Sequence, residues 1–463
     1  MARNLNKRRP ERIDSGFESR NLALGVLLKI EAHDGYANLV LPSELRRFPL
    51  EARNAAFVTE LVYGTLRKRL FYDKVIESAA SRKIGKIDRT PLNILRITAH
   101  QLLTLQTPPH AAVDSAVRLV VRNKSGSASG FVNAISRRIS EKSESTWIDN
   151  LSEGLNELEK LSLEYAHPQW IVEKYLERLG DMESVKRELA ANNVNPRTTG
   201  VIYPGHQWSR QSLSNSQESH WSSSCRYLEG NPEQFEEIRN AHGGVQDQGS
   251  FLVAQALSLA ASSEDGPEDG PKVGIWVDLC AGPGGKAALL SRWAGHSSAN
   301  FLALEISEHR AGLLTRMTDQ VVIADSLKAP IRPGSTSVIL LDAPCSGLGA
   351  LRRRPDARHR KKPEELADLA DLQRKLMKAA VELLSAGGIL GYVTCSPVGE
   401  ETTMNRDWLL EQEKNLELLD ARKYMPKNME LAENFDIQLW PGLHGTDAMY
   451  LALFRKKPSA AIG

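Results

Sequence analysis

Apolar residues recur at helical spacing through the first third of the chain. Leu22, Leu24, Val26, Leu27 and Ile30 make one face, Phe57, Leu61, Val62 and Leu66 another, and Leu92, Ile94, Leu95 and Ile97 a third that runs on into Leu102 and Leu103. After the Pro108-Pro109 break, Val113, Val117, Leu119 and Val120 begin one more. Strand signals are few, so the pattern predicts an all-helical bundle ending near Ile139, behind a basic flexible arm over residues 1–20.

The middle of the chain is mixed. His167-Pro168-Gln169-Trp170 opens a helix, Thr198 to Tyr203 reads as a strand, and the serine-rich stretch Ser212 to Ser224 as loop. Beyond it, apolar runs at Ile275 to Leu279, Phe301 to Ile306, Val321 to Ala324, Ser337 to Leu341, Ile389 to Thr394 and Met449 to Phe454 are separated mostly by stretches of helix length. That alternation predicts a parallel, doubly wound α/β sheet. The strongest helical periodicity (Leu366, Leu369, Leu372, Leu376, Leu383) precedes Gly387-Gly388, read as its C-cap, and the acidic segment Ser262 to Pro271 reads as a surface turn. The expected organisation is a basic arm (1–20), a helical domain (21–145), a small α/β subdomain (146–245) and an α/β domain (246–463).

Composition changes this picture in two places. Hydrophobic content of 41% and charged content of 25% are ordinary for globular domains, which excludes wholesale disorder. The net charge of +2 conceals a split: residues 1–145 carry 25 Lys+Arg against 14 Asp+Glu, while the remainder is net acidic. Such asymmetry marks either a polyanion-binding module or a merely solvated basic surface. The N-terminus is basic without an apolar core, and no apolar run is long enough to cross a bilayer, so a cytoplasmic protein without a membrane partner is expected. Cys225, Cys280, Cys345 and Cys395 form no CxxC pair, signalling neither a zinc site nor a disulfide framework.

In an open parallel sheet ligands bind at the carboxyl ends of strands, so the residues there carry the candidate chemistry. The first strand runs into Asp278-Leu279-Cys280-Ala281-Gly282-Pro283-Gly284-Gly285-Lys286, the second ends at Glu305, the third at Asp325, the fourth at Asp342-Ala343-Pro344-Cys345-Ser346-Gly347 and the fifth at Thr394-Cys395-Ser396. The glycine loop permits close approach of backbone N–H groups to a ligand. It is not a phosphate-binding P-loop, since Cys280 stands where Gly is required and Ala287 where Ser or Thr would hold magnesium, and Ala287 also breaks the dinucleotide fingerprint. Glu305 offers two acceptors to a ribose diol and Asp325 one to an adenine amino group. Two cysteines on neighbouring strand ends beside Asp342 suit thiolate attack on an electrophilic ring carbon.

At these residues the chain resembles the RNA 5-methylcytosine methyltransferases, specifically the RsmB/Sun type with an appended NusB-like domain. The matching motifs are Asp278 to Lys286, Asp342 to Gly347, Thr394 to Ser396 with Glu400 and Glu401 behind, Gln246-Asp247 with Ser250, and His444-Gly445-Thr446-Asp447; in the first third they are Glu60 to Arg67, Ile94 to Ile97 and Phe131 to Ala134. The resemblance implies an all-α NusB-like RNA-binding domain, a small α/β linker subdomain and a Rossmann-like class I methyltransferase domain. It implies S-adenosylmethionine as cofactor, held by Cys280, Ala281, Gly282, Pro283, Gly284, Gly285 and Lys286, by Glu305, by Asp325 and by Asp342. Cys395 would add to C6 of a cytosine, Asp342 with Lys286 would serve N3 and the ring charge, and Cys345 would assist breakdown of the adduct. The implied partner is RNA, specifically small-subunit rRNA presented in single-stranded form.

Gly282 stands where the family often has Ala, Ala287 where Thr is usual, Pro397 follows the TCS triplet, and Ala448-Met449-Tyr450 replaces a Gly-Phe-Phe run. None removes a proposed catalytic group. Arg352-Arg353-Arg354 with Arg358, Arg360, Lys361 and Lys362 would either hold RNA phosphate or form a loop with internal ion pairs. Two other functions compete: a DNA cytosine-5 methyltransferase with Cys345 as nucleophile, and a non-catalytic RNA-binding or antitermination factor built on the helical domain.

Overall fold

The computed structural model describes residues 15–32, 35–262 and 274–458. Arm residues 1–14 and most of the expected turn, 263–271, lie outside them. Two compact units emerge, one running to Val172 and completed by Arg354–His359, the other comprising Glu173–Arg353 and the chain from Arg360 onward. Among the described residues no helix is long and apolar enough to cross a membrane.

The first unit is helical because its apolar residues keep the 3.6-residue period. Leu24, Val26, Leu27, Ile30, Leu61, Val62, Leu66, Ile94, Leu95, Ile97, Leu119 and Val120 are all buried in one core, whereas Leu22 and Phe57 lie at its edge. The first helix is Ser15–Ala32, so residues 15–20 are not an arm. Ser19 is fully buried, and Arg20 Nε donates to Gln101 Oε1 at 2.6 Å. Nor does the bundle end near Ile139. Helices continue through Glu144–Leu151 and Glu157–Glu164, and Trp147 is buried with its indole N–H donating to Ile139 O at 3.1 Å. The boundary drawn at 145 therefore falls inside the helical unit, because the side chains that close this core come from beyond it. Arg358 Nη1 donates to Arg67 O (2.9 Å) and Ala166 O (3.2 Å), and His359 Nε2 lies 2.9 Å from Leu66 O. These contacts tie 354–359 into the helical unit.

The second unit holds two sheets. The smaller comprises β1 (Thr199–Ile202), β2 (Ser216–Glu218), β3 (Cys225–Leu228) and β4 (Gly243–Val245), antiparallel in the order β2-β3-β1-β4. The serine-rich stretch is thus not all loop: it contributes β2 and part of the helix Arg210–Ser214. The larger sheet is built from β5 (Ile275–Asp278), β6 (Asn300–Glu305), β7 (Val321–Ile323), β8 (Thr336–Asp342), β9 (Leu384–Thr394), β10 (Leu416–Leu419), β11 (Ile437–Gln438) and β12 (Tyr450–Lys456). Its order is β10-β12-β9-β8-β5-β6-β7, with β11 paired to β12. Strands β5 to β9 are parallel, but β12 runs antiparallel to β9, β10 and β11, so the sheet is mixed rather than wholly parallel. Apolar periodicity reports which face a strand buries and is blind to its direction. The C-cap reading also fails: the helix Glu365–Leu383 stops before Gly387, whose φ of +76° shapes the start of β9.

Alternate residues of the central strands serve two cores. Val277, Ile339, Leu341, Leu390 and Tyr392 pack on one face, Trp276, Val338, Leu340, Val393 and Leu451 on the other. The chain moves from β5 outward to β6 and β7, then returns to β8 on the other side of β5. That reversal opens a crevice beyond the carboxyl ends of β5 and β8, where Asp278 and Asp342 stand.

Candidate functional site

The start of the glycine loop is anchored by backbone of two neighbouring strands. Leu279 N donates to Leu340 O at 3.0 Å and Ala281 N to Leu304 O at 2.9 Å. Gly284 has φ +117°, a conformation L-residues resist, and it lets the chain turn into the helix Gly285–His296. Gly282 N donates to Glu305 Oε2 at 3.0 Å, and a Cβ on Gly282 would overlap that oxygen. Glu305, 3% exposed, also accepts from Ser307 N (2.8 Å) and Arg310 Nη2 (2.7 Å), which orients it at the mouth of the loop. Asp325 is exposed and accepts from Leu327 N at 3.0 Å; the next residue, Ser326, hydrogen-bonds Leu279 O and so joins the β7 end to the loop.

Asp278 is 1% exposed. Its Oδ1 accepts from Cys280 N at 3.2 Å, while Oδ2 has no hydrogen-bond partner among the described residues. Burial, reinforced by the charge of Asp342, pushes its carboxyl up to about 8. An orphaned acid beside a glycine loop, with Glu305 oriented across it, fits a ligand bearing polar hydrogens and a diol. A folded-state value above the unfolded one means that the group's contribution to stability is complete below about pH 4 and is lost as pH rises through about 8. Asp278→Asn is therefore expected to flatten the fall in stability between pH 5 and 8, by roughly 2–4 kcal/mol over that window. Urea melts of both proteins at the two pH values check this, and equal slopes would exclude Asp278 as the source.

Lys286 Nζ donates to Asp342 Oδ2 at 2.8 Å. Burial lowers the affinity of Lys286 for its proton, but the facing carboxylate outweighs it and holds the ammonium above its usual range. Close to this pair, Cys345 Sγ and Cys395 Sγ are 3.3 Å apart. The hydrogen bond with Cys395, followed by burial, pushes the Cys345 thiol well up. The Cys280 thiol is pushed up as well, first by burial and then by Asp278, which suits a loop residue better than a nucleophile. Gly349 N donates to Cys395 O at 2.9 Å, fixing the segment after Cys345 against the end of β9.

The structure thus gathers Lys286, Asp342, Cys345 and Cys395 into one cluster and Asp278, Gly282 and Glu305 into another, with Asp325 at the rim. Three members of the arginine run are paired within the protein. Arg352 Nη2 donates to Gly445 O (3.0 Å) and Asp447 Oδ1 (3.4 Å), Arg353 Nη2 to Asp247 Oδ2 (2.8 Å), and Arg358 is spent on backbone carbonyls of the helical unit. Asp447 is pushed up to about 7 by burial and by Asp247, while Arg353 and Arg352 overcome burial to hold Asp247 below its usual range. These pairs give Asp247 and Asp447 a structural part: they fasten the segment after the Cys345 loop. Sequence reasoning left Gln373, Tyr392 and Asn405 unnoticed. All are fully buried and hydrogen-bonded to one another, and the one available signal was a polar Gln373 on the apolar stripe of the helix Glu365–Leu383.

Comparison with known proteins places this arrangement. Residues 267–455 match the family model described as 16S rRNA methyltransferase RsmB/F, and residues 18–141 match the NusB family. A putative methyltransferase of Mycobacterium tuberculosis is 38% identical, the alignment covering 95% of this chain and 96% of the relative. The probable ribosomal RNA small subunit methyltransferase B of Bacillus subtilis is 27% identical over 95% of this chain and 98% of its own. Among solved structures, the crystal structure of PH0851 superposes with a TM-score of 0.76 at 21% identity, over 96% of this chain and 98% of that one, and NSun6 from Pyrococcus horikoshii with SFG at 0.51 and 16%, over 63% and 99%. Two family models in this order on one chain, with a relative alike from end to end, establish that this protein belongs to the RsmB/Sun-type methyltransferases, which draw their methyl group from S-adenosylmethionine.

Proposed function

We propose that the chain methylates C5 of a cytosine in 16S rRNA, through a covalent bond between Cys395 and C6 of the base. The observation that carries this reading is the pair of thiols 3.3 Å apart beside the Lys286–Asp342 ion pair. The rRNA assignment draws on the 16S rRNA methyltransferase family that residues 267–455 match and on the Bacillus subtilis relative, a probable ribosomal RNA small subunit methyltransferase.

S-adenosylmethionine, when bound, supplies an electrophilic methyl group. Residues Cys280 to Lys286 would hold it, with Glu305 at the ribose diol, Asp325 at the adenine amino group and Asp342 beside the reacting centre. Cys395 Sγ adds to C6, which makes C5 nucleophilic. Asp342 holds the proton at N3, and the Lys286 ammonium paired with it meets the negative charge developing on the ring. After methylation the C5 proton passes to water, its bonding pair re-forms the C5–C6 double bond and expels Cys395 as thiolate, and N3 returns its proton to Asp342. Cys345, 3.3 Å from the departing sulfur, assists that release by donating a hydrogen bond to it. The rival DNA-type reading takes Cys345 as nucleophile and leaves the second thiol, Cys395 at 3.3 Å, without a role. A non-catalytic RNA-binding factor would need neither thiol. Bisulfite mapping of rRNA incubated with and without the protein tests the proposal; 16S rRNA lacking any protein-dependent 5-methylcytosine would refute it.

Glu305→Ala is expected to raise the dissociation constant for S-adenosylmethionine about ten- to hundredfold, since a carboxylate–hydroxyl interaction of roughly 1.5–3 kcal/mol is lost. Calorimetry giving an unchanged constant would remove Glu305 from the cofactor site.

The net charge of residues 1–145 points to the helical unit as an electrostatic anchor for RNA. Because Arg358 and His359 hydrogen-bond into that unit, charge substitutions test this more cleanly than its removal. Changing the exposed Lys83, Lys86, Arg122, Lys124 and Arg137 to Gln should weaken RNA binding and reduce the slope of log K against log salt by about 0.7–0.9 for every phosphate that is no longer neutralised. A slope equal to that of the wild type would mean that these cations are merely solvated.

A further inference from the structure

Glu401 is fully buried, yet every hydrogen bond described for its carboxylate comes from a neutral donor. Ser346 N donates to Oε1 at 2.7 Å, Ser346 Oγ to Oε2 at 2.5 Å, Ser396 Oγ to the same Oε2 at 2.5 Å, and Gln373 Nε2 to Oε1 at 3.2 Å. Separations of 2.5 Å are those of hydroxyls donating to a carboxylate. Three of these four donor groups belong to the residues that directly follow the two cysteines. The Ser346 N–H shares a peptide plane with the Cys345 carbonyl, so fixing that N–H fixes the plane from which Cys345 departs.

The clamp is itself held rigid. Glu401 O accepts from Tyr392 OH at 2.8 Å, and Tyr392 OH also meets Gln373 Oε1 (3.0 Å) and Asn405 Nδ2 (3.1 Å). Gln373 stands on the long helix, Tyr392 on β9 and Asn405 on the helix Thr403–Gln412, so three elements brace one carboxylate. A buried acid without a described cation is costly unless its acceptors are filled, and here they are filled almost entirely by the two cysteine loops.

We propose that Glu401 is a positioning residue for the covalent reaction, a single carboxylate that fastens the Cys345 and Cys395 loops to each other and so sets the distance and orientation of the two thiols. The inference rests on the roles proposed above for those cysteines. Glu401→Gln retains the volume but offers one acceptor oxygen in place of two, so the amide cannot receive Ser346 N–H, Ser346 O–H and Ser396 O–H together, and at least one loop loses its anchor.

Two measurements decide the matter. The first uses phenylarsine oxide, which bridges two close thiols; both thiol protons leave with the arsenoxide oxygen as water while two As–S bonds form. The wild-type protein should take up one equivalent that Cys345→Ala does not, and Glu401→Gln should lose at least tenfold in affinity for the reagent. The second follows the protein–RNA adduct in a single turnover with S-adenosylmethionine. Glu401→Gln should bind S-adenosylmethionine within about twofold of wild type, resolve the adduct at least tenfold more slowly, and show a shifted pH profile for resolution, a change that a merely structural role would not produce. Ser396→Ala, which removes one anchor and leaves Glu401 in place, carries the same test if the Glu401 variant does not fold. Wild-type bridging together with wild-type resolution would overturn the proposal. If the unmodified protein forms no adduct, the functional reading fails on its own, and the arsenical comparison alone then decides the clamp.

Discussion

Cys395→Ala is expected to abolish methyl transfer and to yield no covalent protein–RNA species, because no thiolate remains to add at C6. Cys345→Ala is expected to fail differently: addition and methyl transfer proceed, release stalls, and a denaturant-resistant complex with RNA accumulates in the presence of S-adenosylmethionine. The geometry sharpens the contrast, since the thiols are 3.3 Å apart and either sulfur could be tested as the one that bonds to C6. A denaturing gel with labelled RNA reads both variants at once. Adduct from the Cys395 variant and none from the Cys345 variant would exchange their roles and favour the DNA-type chemistry.

Asp342→Asn should lower the rate of methyl transfer by about 10²–10⁴, the usual range for a positioned acid or base, while binding of S-adenosylmethionine changes far less. The amide cannot hold a proton at N3, and it leaves Lys286 without a charged partner. Breaking a fully buried pair costs about 3–5 kcal/mol; with Asp342 at 29% side-chain exposure, roughly 1–3 kcal/mol is expected. Denaturant melts and single-turnover rates separate the two effects. A variant that keeps more than a tenth of the wild-type rate would show that Asp342 only balances the charge of Lys286.

Much of the site was legible in the linear chain because strand ends in an α/β sheet converge. Asp278, Glu305, Asp342 and Cys395 each lie at or directly after an apolar run of strand length, and parallel pairing of β6, β5, β8 and β9 carries all four to one edge. The arginine run shows the opposite case. Its residues are contiguous in sequence, yet Arg352 and Arg353 are spent on Asp247 and Asp447, and Arg358 on Arg67 and Ala166. A run of like charge reads the same whether solvent or a buried carboxylate faces it.

The sequence by itself determined the local periods, the order of helical and α/β parts, the glycine loop and the identity of the two cysteine motifs, because each depends on residues close together along the chain. Only the tertiary structure decided the antiparallel course of β12, the extension of the helical unit to Val172 with 354–359, and the joining of both cysteine loops through Glu401. Strand direction, core closure and the filling of a buried carboxylate are settled by contacts between residues tens to hundreds of positions apart. Such contacts form wherever packing and hydrogen bonding can be satisfied together, and the spacing of residues along the chain leaves no mark of them.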